Sequence, residues 1–97
     1  MLPTLRQLLV FKTVVEQGSF RKSADVLNTS QPALSNSVKA LEDVLGTSVF
    51  FRTTRSVELT AAGTALYARI DQIFEMVETA TLEARDAADG KGGRLRL

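Results

Sequence analysis

Apolar residues recur along the first half of the chain at helical spacing. Leu5, Leu8, Phe11 and Val15 share one helix face. Pro3-Thr4 precedes them, and Thr4 with Gln7 fits a capping box, in which each side chain satisfies the other residue's N–H. Gly18 stops this helix and Ser19 can cap the next. In the second helix Phe20, Ala24 and Leu27 lie together, and Ala24 is small enough for a close approach by the helix that follows. The turn falls near Asn28-Thr29, where Asn tolerates left-handed backbone angles. Ser30 is a good N-cap, and Pro32 falls in the first turn, where a missing N–H costs little. Leu34, Val38, Leu41 and Leu45 then define the buried stripe of a third helix, which ends at Gly46. Gln31, Ser35, Asn36 and Lys39 lie off that stripe and point outward.

From Thr47 to Leu59 the period changes. Val49-Phe50-Phe51 and Val57-Glu58-Leu59 are short β-prone runs around a polar tip, residues 52–56, with Arg52 and Arg55. This predicts a small hairpin, or wing. No Asn-Gly or Asp-Gly marks a two-residue turn, so a longer loop is expected. Thr60 caps a last, long helix that runs to about Asp89 without proline. Ala62, Leu66, Ile70, Ile73, Val77, Ala80, Ala84 and Ala87 alternate at four and three, the pattern of a coiled-coil seam. A helix of roughly 29 residues would run about 43 Å. A head of about 60 residues cannot cover that length, so the seam needs a partner, and a dimer through Leu66, Ile70, Ile73, Val77, Ala80 and Ala84 is expected. Gly90-Lys91-Gly92-Gly93 reads as a hinge, and Arg94-Leu95-Arg96-Leu97 alternates like the first strand of a further domain. The expected division is a head at 1–59, a linker helix at 60–89, and a hinge opening a second domain at 90–97.

Composition narrows the chemistry. The 97 residues suit one small domain, and an apolar fraction of 44% supports a packed core. Such a core is marginal, which again favours oligomerisation. The chain has neither cysteine nor histidine. Disulfides and thiolate metal sites are excluded, and the commonest general base and metal ligand are absent. No apolar run approaches a membrane span and no signal-peptide pattern opens the chain, so a soluble, intracellular protein is expected, with no membrane partner. The net charge of +1 hides a segregation. Residues 1–59 hold seven basic and five acidic groups, whereas residues 60–89 hold two basic and six acidic ones. The acidic helix would repel phosphate, which leaves the mildly basic head as the candidate for a nucleic-acid partner.

Three function classes compete. Two helices joined by a tight turn, the second with an outward row of Gln, Ser, Asn and Lys, is how a protein reads base edges in a major groove. The same row is also an ordinary solvated helix face, and a protein-interaction or oligomerisation module without DNA binding is the alternative function. An enzyme would have to work with carboxylates, Lys39 or hydroxyls. Glu42-Asp43 reads as the solvated side of a helix, and no Gly-rich phosphate loop or metal-ligand spacing occurs. No catalytic residue, metal or cofactor is expected within the chain.

The residues also resemble a known family. Phe11, Val15, Gly18-Ser19-Phe20, Ala24, Leu27, the run Ser30-Gln31-Pro32-Ala33-Leu34-Ser35, Leu41-Glu42, Leu45-Gly46, Phe50, Arg52 and Leu59-Thr60-Ala61-Ala62-Gly63 match the N-terminal domain of LysR-type transcriptional regulators. The resemblance covers essentially the whole chain, and several linked motifs at the right spacing make it specific. It implies a mainly α fold: a winged helix-turn-helix of three helices plus a short β-hairpin wing, followed by a long linker helix that dimerises antiparallel to its copy. It implies a bacterial, cytoplasmic, nucleoid-associated regulator bound to double-stranded promoter DNA at an inverted repeat. It also implies a C-terminal domain for a small-molecule effector and a tetramer for the full-length protein. Two residues depart from the family pattern. Asn36 stands where many members carry arginine, and Asn prefers adenine or a single polar contact. Phe51 stands where an acidic or polar residue is usual, and an exposed aromatic there can pack under the wing or sit in an interface.

Within that frame the recognition helix is about 31–45. Gln31, Pro32, Ser35 and Asn36 are the candidate base contacts: Gln for adenine, and Pro32 for a thymine methyl besides initiating the helix. Ser19, Arg21, Thr29, Ser30, Lys39, Arg52 and Arg55 are the candidate backbone contacts. The serines and Thr29 have helix capping as their alternative or additional role. Lys39 has plain solvation, and Arg52 has a structural bridge to Glu42 or Glu58.

Overall fold

The computed structural model describes residues 1–52 and 56–90. Among these residues four helices form: α1 (Leu5–Gln17), α2 (Phe20–Val26), α3 (Gln31–Leu45) and α4 (Ala61–Ala88). Each N-terminus is capped by the residue expected. The Gln7 N–H donates to Thr4 Oγ1 and the Thr4 N–H donates to Gln7 Oε1, both at 3.0 Å, which completes the capping box of α1. Ser19, Ser30 and Thr60 accept from the N–H groups of Lys22, Ala33 and Gly63. Asn28 turns the chain between α2 and α3 with φ +55°, a left-handed angle that Asn adopts more readily than bulkier side chains.

α1 lies against α2, α3 and α4 at once. Its buried face is therefore wider than the single stripe read from the sequence. Val10 and Val14 are fully buried beside Leu8 and Phe11, while Leu5 is half exposed. Leu34, Val38 and Leu41 of α3 meet them in the core. Phe11 sits at the centre. Its ring lies 5.5 Å from Phe50 and 6.2 Å edge-on from Tyr67 of α4, and Phe50 in turn packs 5.7 Å from Phe20. One aromatic cluster thus joins α1, α2, the base of the wing and α4. Lys12 adds a polar tie between α1 and α4, donating to Glu16 at 2.8 Å and lying 3.9 Å from Asp71 of α4. Its ammonium is held above its ordinary pKa, first by the Glu16 hydrogen bond and then by the nearby carboxylates.

The segment after α3 is short and tightly fastened. Phe50 and Leu59 form one antiparallel bridge, and the Phe51 N–H donates to the Glu58 carbonyl at 3.0 Å. This is the base of the expected wing. Its tip at 53–55, and with it Arg55, lies outside the described residues, as does the alternating segment 94–97.

The linker helix differs from the expected seam at one position. Ile70 is fully buried in the core of the head, so it has no surface left for a partner. The reason is geometric: α4 begins by packing on α1 before it leaves the head, and Tyr67, Ile70 and Phe74 face that way. Gly63 makes this departure possible. A Cβ there would stand 2.2 Å from the Val49 carbonyl oxygen and 2.9 Å from Leu59 Cδ2. Gly63→Ala should therefore push α4 off the wing base and lower stability by about 1–3 kcal/mol, the usual range for overpacking, which thermal or urea denaturation would read directly.

Candidate nucleic-acid interface

The α3 sequence divides cleanly by side. Leu34, Val38 and Leu41 are buried, and Gln31, Pro32, Ser35, Asn36 and Lys39 are all exposed. Four of these five fall within the first two turns of the helix, and Lys39 stands about 12 Å further along the axis than Gln31 at 1.5 Å per residue. The exposed face offers amide and hydroxyl groups at its start and a cation further on. That order suits base edges followed by phosphate.

A cleft of about 390 Å³ opens beside the start of α3. Ser19 and Arg21 line it from the N-terminus of α2, Gln31 from the N-terminus of α3, and Phe51, Arg52 and Ser56 from the wing base. The fold therefore gathers four of the expected contact residues, Ser19, Arg21, Gln31 and Arg52, around one concave surface. Two helix N-termini and two guanidinium groups make it a favourable place for an anion. Thr29 and Ser30 line a separate, shallower depression with Asp25 and Asn28. Both serine caps have an oxygen engaged by a backbone N–H, so capping is the role visible for Ser19 and Ser30, and each hydroxyl hydrogen is still a donor.

Glu42 corrects one expectation, and Arg52 takes up one of the two structural bridges open to it. Glu42 is not on a solvated side of α3: it is buried, and its carboxylate faces the loop that follows the helix. Glu42 Oε2 accepts the Val49 N–H at 2.8 Å, and Oε1 accepts from Arg52 Nη2. Of the two structural partners open to Arg52, Glu42 is the one engaged. More than half of the Arg52 side chain remains exposed, and the residue lines the cleft. The arginine thus neutralises a buried carboxylate on one side while presenting positive charge on the other. A sequence cue for this existed in the position of Glu42, which falls one residue after Leu41 on the flank of the buried stripe.

The α4 surface is the other candidate interface. Leu66, Ile73 and Val77 are half buried, and Ala80 and Ala84 are exposed. An apolar groove runs from Leu45 and Thr47 past Ala62, Ala65, Leu66 and Ile73, and continues along Ile73, Met76 and Val77. Met76 is 70% exposed and stands beside the expected seam, which steps four residues from Ile73 to Val77 where a step of three reaches Met76. Among the described residues no helix is long and apolar enough to cross a membrane, and no cluster of three or more His, Cys, Asp or Glu could hold a metal ion.

The role of Glu42 is open to a direct check. Glu42→Ala leaves the Val49 N–H and Arg52 without their acceptor and should cost about 1–3 kcal/mol, the penalty for a buried group left unpaired. Glu42→Gln keeps one acceptor oxygen and should cost less, and urea unfolding of the two variants would show the order.

Comparison with known proteins gives a consistent result. The family described as bacterial regulatory helix-turn-helix protein, lysR family, matches residues 5–64. The HTH-type transcriptional regulator TfdT of Cupriavidus pinatubonensis is 39% identical over 93 residues, which are 96% of this chain and 41% of that protein. The chain spans between 31% and 65% of the length of the first curated relatives it matches. Two crystal structures of DNA complexes superpose closely. The BenM DBD with catB site 1 DNA is 34% identical with a TM-score of 0.85, covering 90% of this chain and 94% of that one. The CbnR DBD–DNA complex is 36% identical with a TM-score of 0.82, covering 88% and 98%.

Proposed function

The chain belongs to the lysR family of bacterial regulatory helix-turn-helix proteins, and from that premise we propose that it binds double-stranded promoter DNA sequence-specifically as the DNA-binding domain of a transcriptional regulator. The observation that carries this reading is the exposed polar face at the start of α3, set beside a cleft that holds Arg21, Arg52 and two helix N-termini. α3 enters the major groove, with Gln31, Pro32, Ser35 and Asn36 against base edges. Arg21, Arg52, Lys39 and the hydroxyls of Ser19, Thr29 and Ser30 hold phosphates on either side, and Arg55 at the wing tip reaches the backbone or minor groove. Asn36, a short amide with one donor and one acceptor edge, favours adenine at the position it reads. The close likeness to the BenM and CbnR DBD complexes with DNA supports this docking. The relatives are transcriptional regulators, and the reading needs no catalytic group.

The functional unit is a homodimer. A second copy covers the apolar groove of Leu66, Ile73, Met76 and Val77, and Ala80 and Ala84 allow close approach further along α4. Residues 1–59 form the DNA-binding head and 60–89 the linker. In the full-length regulator, a cytoplasmic protein on the nucleoid, a following domain would take the small-molecule effector and two dimers would pair as a tetramer.

Selection from a randomised duplex library by the chain at about 0.15 M salt should enrich an inverted repeat. Failure to enrich any sequence while the chain remains dimeric would move the reading to a protein-interaction module. On the selected site Gln31→Ala should cost roughly 1–3 kcal/mol and relax one base position. Unchanged affinity and base preference would remove Gln31 from the readout. Met76→Glu places a charge in the groove and should shift sedimentation equilibrium toward monomer, with the helical content retained.

A further inference from the structure

The cleft beside α3 contains one group that phosphate binding leaves unused. Phe51 is 53% exposed, whereas its neighbour Phe50 is buried between Phe11 and Phe20. The backbone explains the contrast. The Phe51 N–H is tied to the Glu58 carbonyl and the Arg52 guanidinium to Glu42, so the residue between the buried ring and the anchored arginine is held at the surface. Phe51 lines the same cleft as Arg21, Gln31 and Arg52. A molecule seated in this cleft meets Phe51 together with both arginines.

A nucleic-acid strand presents anionic phosphates separated by the largely apolar faces of its sugars. The wall of the cleft offers the complementary set, with cations at Arg21 and Arg52 and an apolar ring at Phe51. We propose that Phe51 is an affinity-determining contact of the DNA-binding surface, its ring packed on a deoxyribose next to the phosphates held by Arg21 and Arg52. The inference rests on the reading of α3 as the groove-binding helix. It assigns to the wing base a contact that is hydrophobic and therefore insensitive to salt.

The test uses the chain and a duplex carrying the selected inverted repeat. Phe51→Ser should weaken binding about three- to tenfold, the effect expected for leaving this exposed ring area unburied, with the slope of log K against log salt unchanged. Phe51→Leu should recover most of the loss. Arg21→Ala should instead flatten the salt slope by about one unit. Hydroxyl-radical cleavage, which attacks the sugars, should show one or two protected deoxyriboses per half-site that become reactive in Phe51→Ser at saturating protein. Wild-type affinity in Phe51→Ser overturns the inference while leaving the docking of α3 intact. Equally, a loss of affinity that follows a fall in Tm, with sugar protection unchanged, assigns Phe51 to folding and overturns it. If the wild-type chain binds no duplex at all, the inference fails together with the DNA-binding reading beneath it.

Discussion

The peptide of Val49 is the point on which the rest of the molecule turns. Its N–H donates to the buried Glu42 carboxylate of α3, and its carbonyl accepts the Thr60 N–H at 3.0 Å, at the entry to α4. Thr60 also donates from its hydroxyl to the Ser48 carbonyl at 2.7 Å while capping α4 through the Gly63 N–H. Gly63 is a glycine because the same carbonyl stands where its side chain would be. The end of α3, the wing base and the start of α4 are thus bonded to one short segment. None of these bonds is strong alone, since each replaces a bond to water. Together they leave the exit of α3 and the entry of α4 little freedom to move apart.

That rigidity bears on function through geometry. A dimer built on α4 would set the separation of its two α3 helices by the angle at which each α4 leaves its head. The junction determines this angle within one chain, and the aromatic cluster of Phe11, Phe20, Phe50 and Tyr67 holds it from the other side. Half-site spacing on a palindromic operator is a consequence of such an angle. The wing base hangs from the same junction, so the cleft with Arg21, Gln31 and Arg52 keeps its shape along with it.

The electrostatics follow the same economy. The head carries only a small excess of basic groups, and one of its arginines is partly committed to Glu42. Binding strength then comes from where the cations stand. Arg52 is placed by a buried carboxylate, a long flexible side chain held at one end before any ligand arrives, which reduces the rotamer entropy lost on binding. The acidic character of α4 beyond the head would repel phosphate from the linker and favour the α3 side.

Much of this was legible in the chain itself. The four helices, their Thr4, Ser19, Ser30 and Thr60 caps, the turn at Asn28 and the outward face of α3 are local matters. They depend on side chains bonding to backbone three residues away and on a 3.6-residue period, and both can be read from neighbouring residues. Other features were decided only when the elements met. Ile70 continues the three–four alternation of α4 without a break, and nothing in that pattern distinguishes the core of its own head from a second copy as its cover. Val10 and Val14 became core because α1 has neighbours on three sides, and Glu42 became buried because the loop after α3 folds back over it. A period states which residues share a face, whereas burial depends on what lies opposite, and that is set by contacts between segments far apart in the chain.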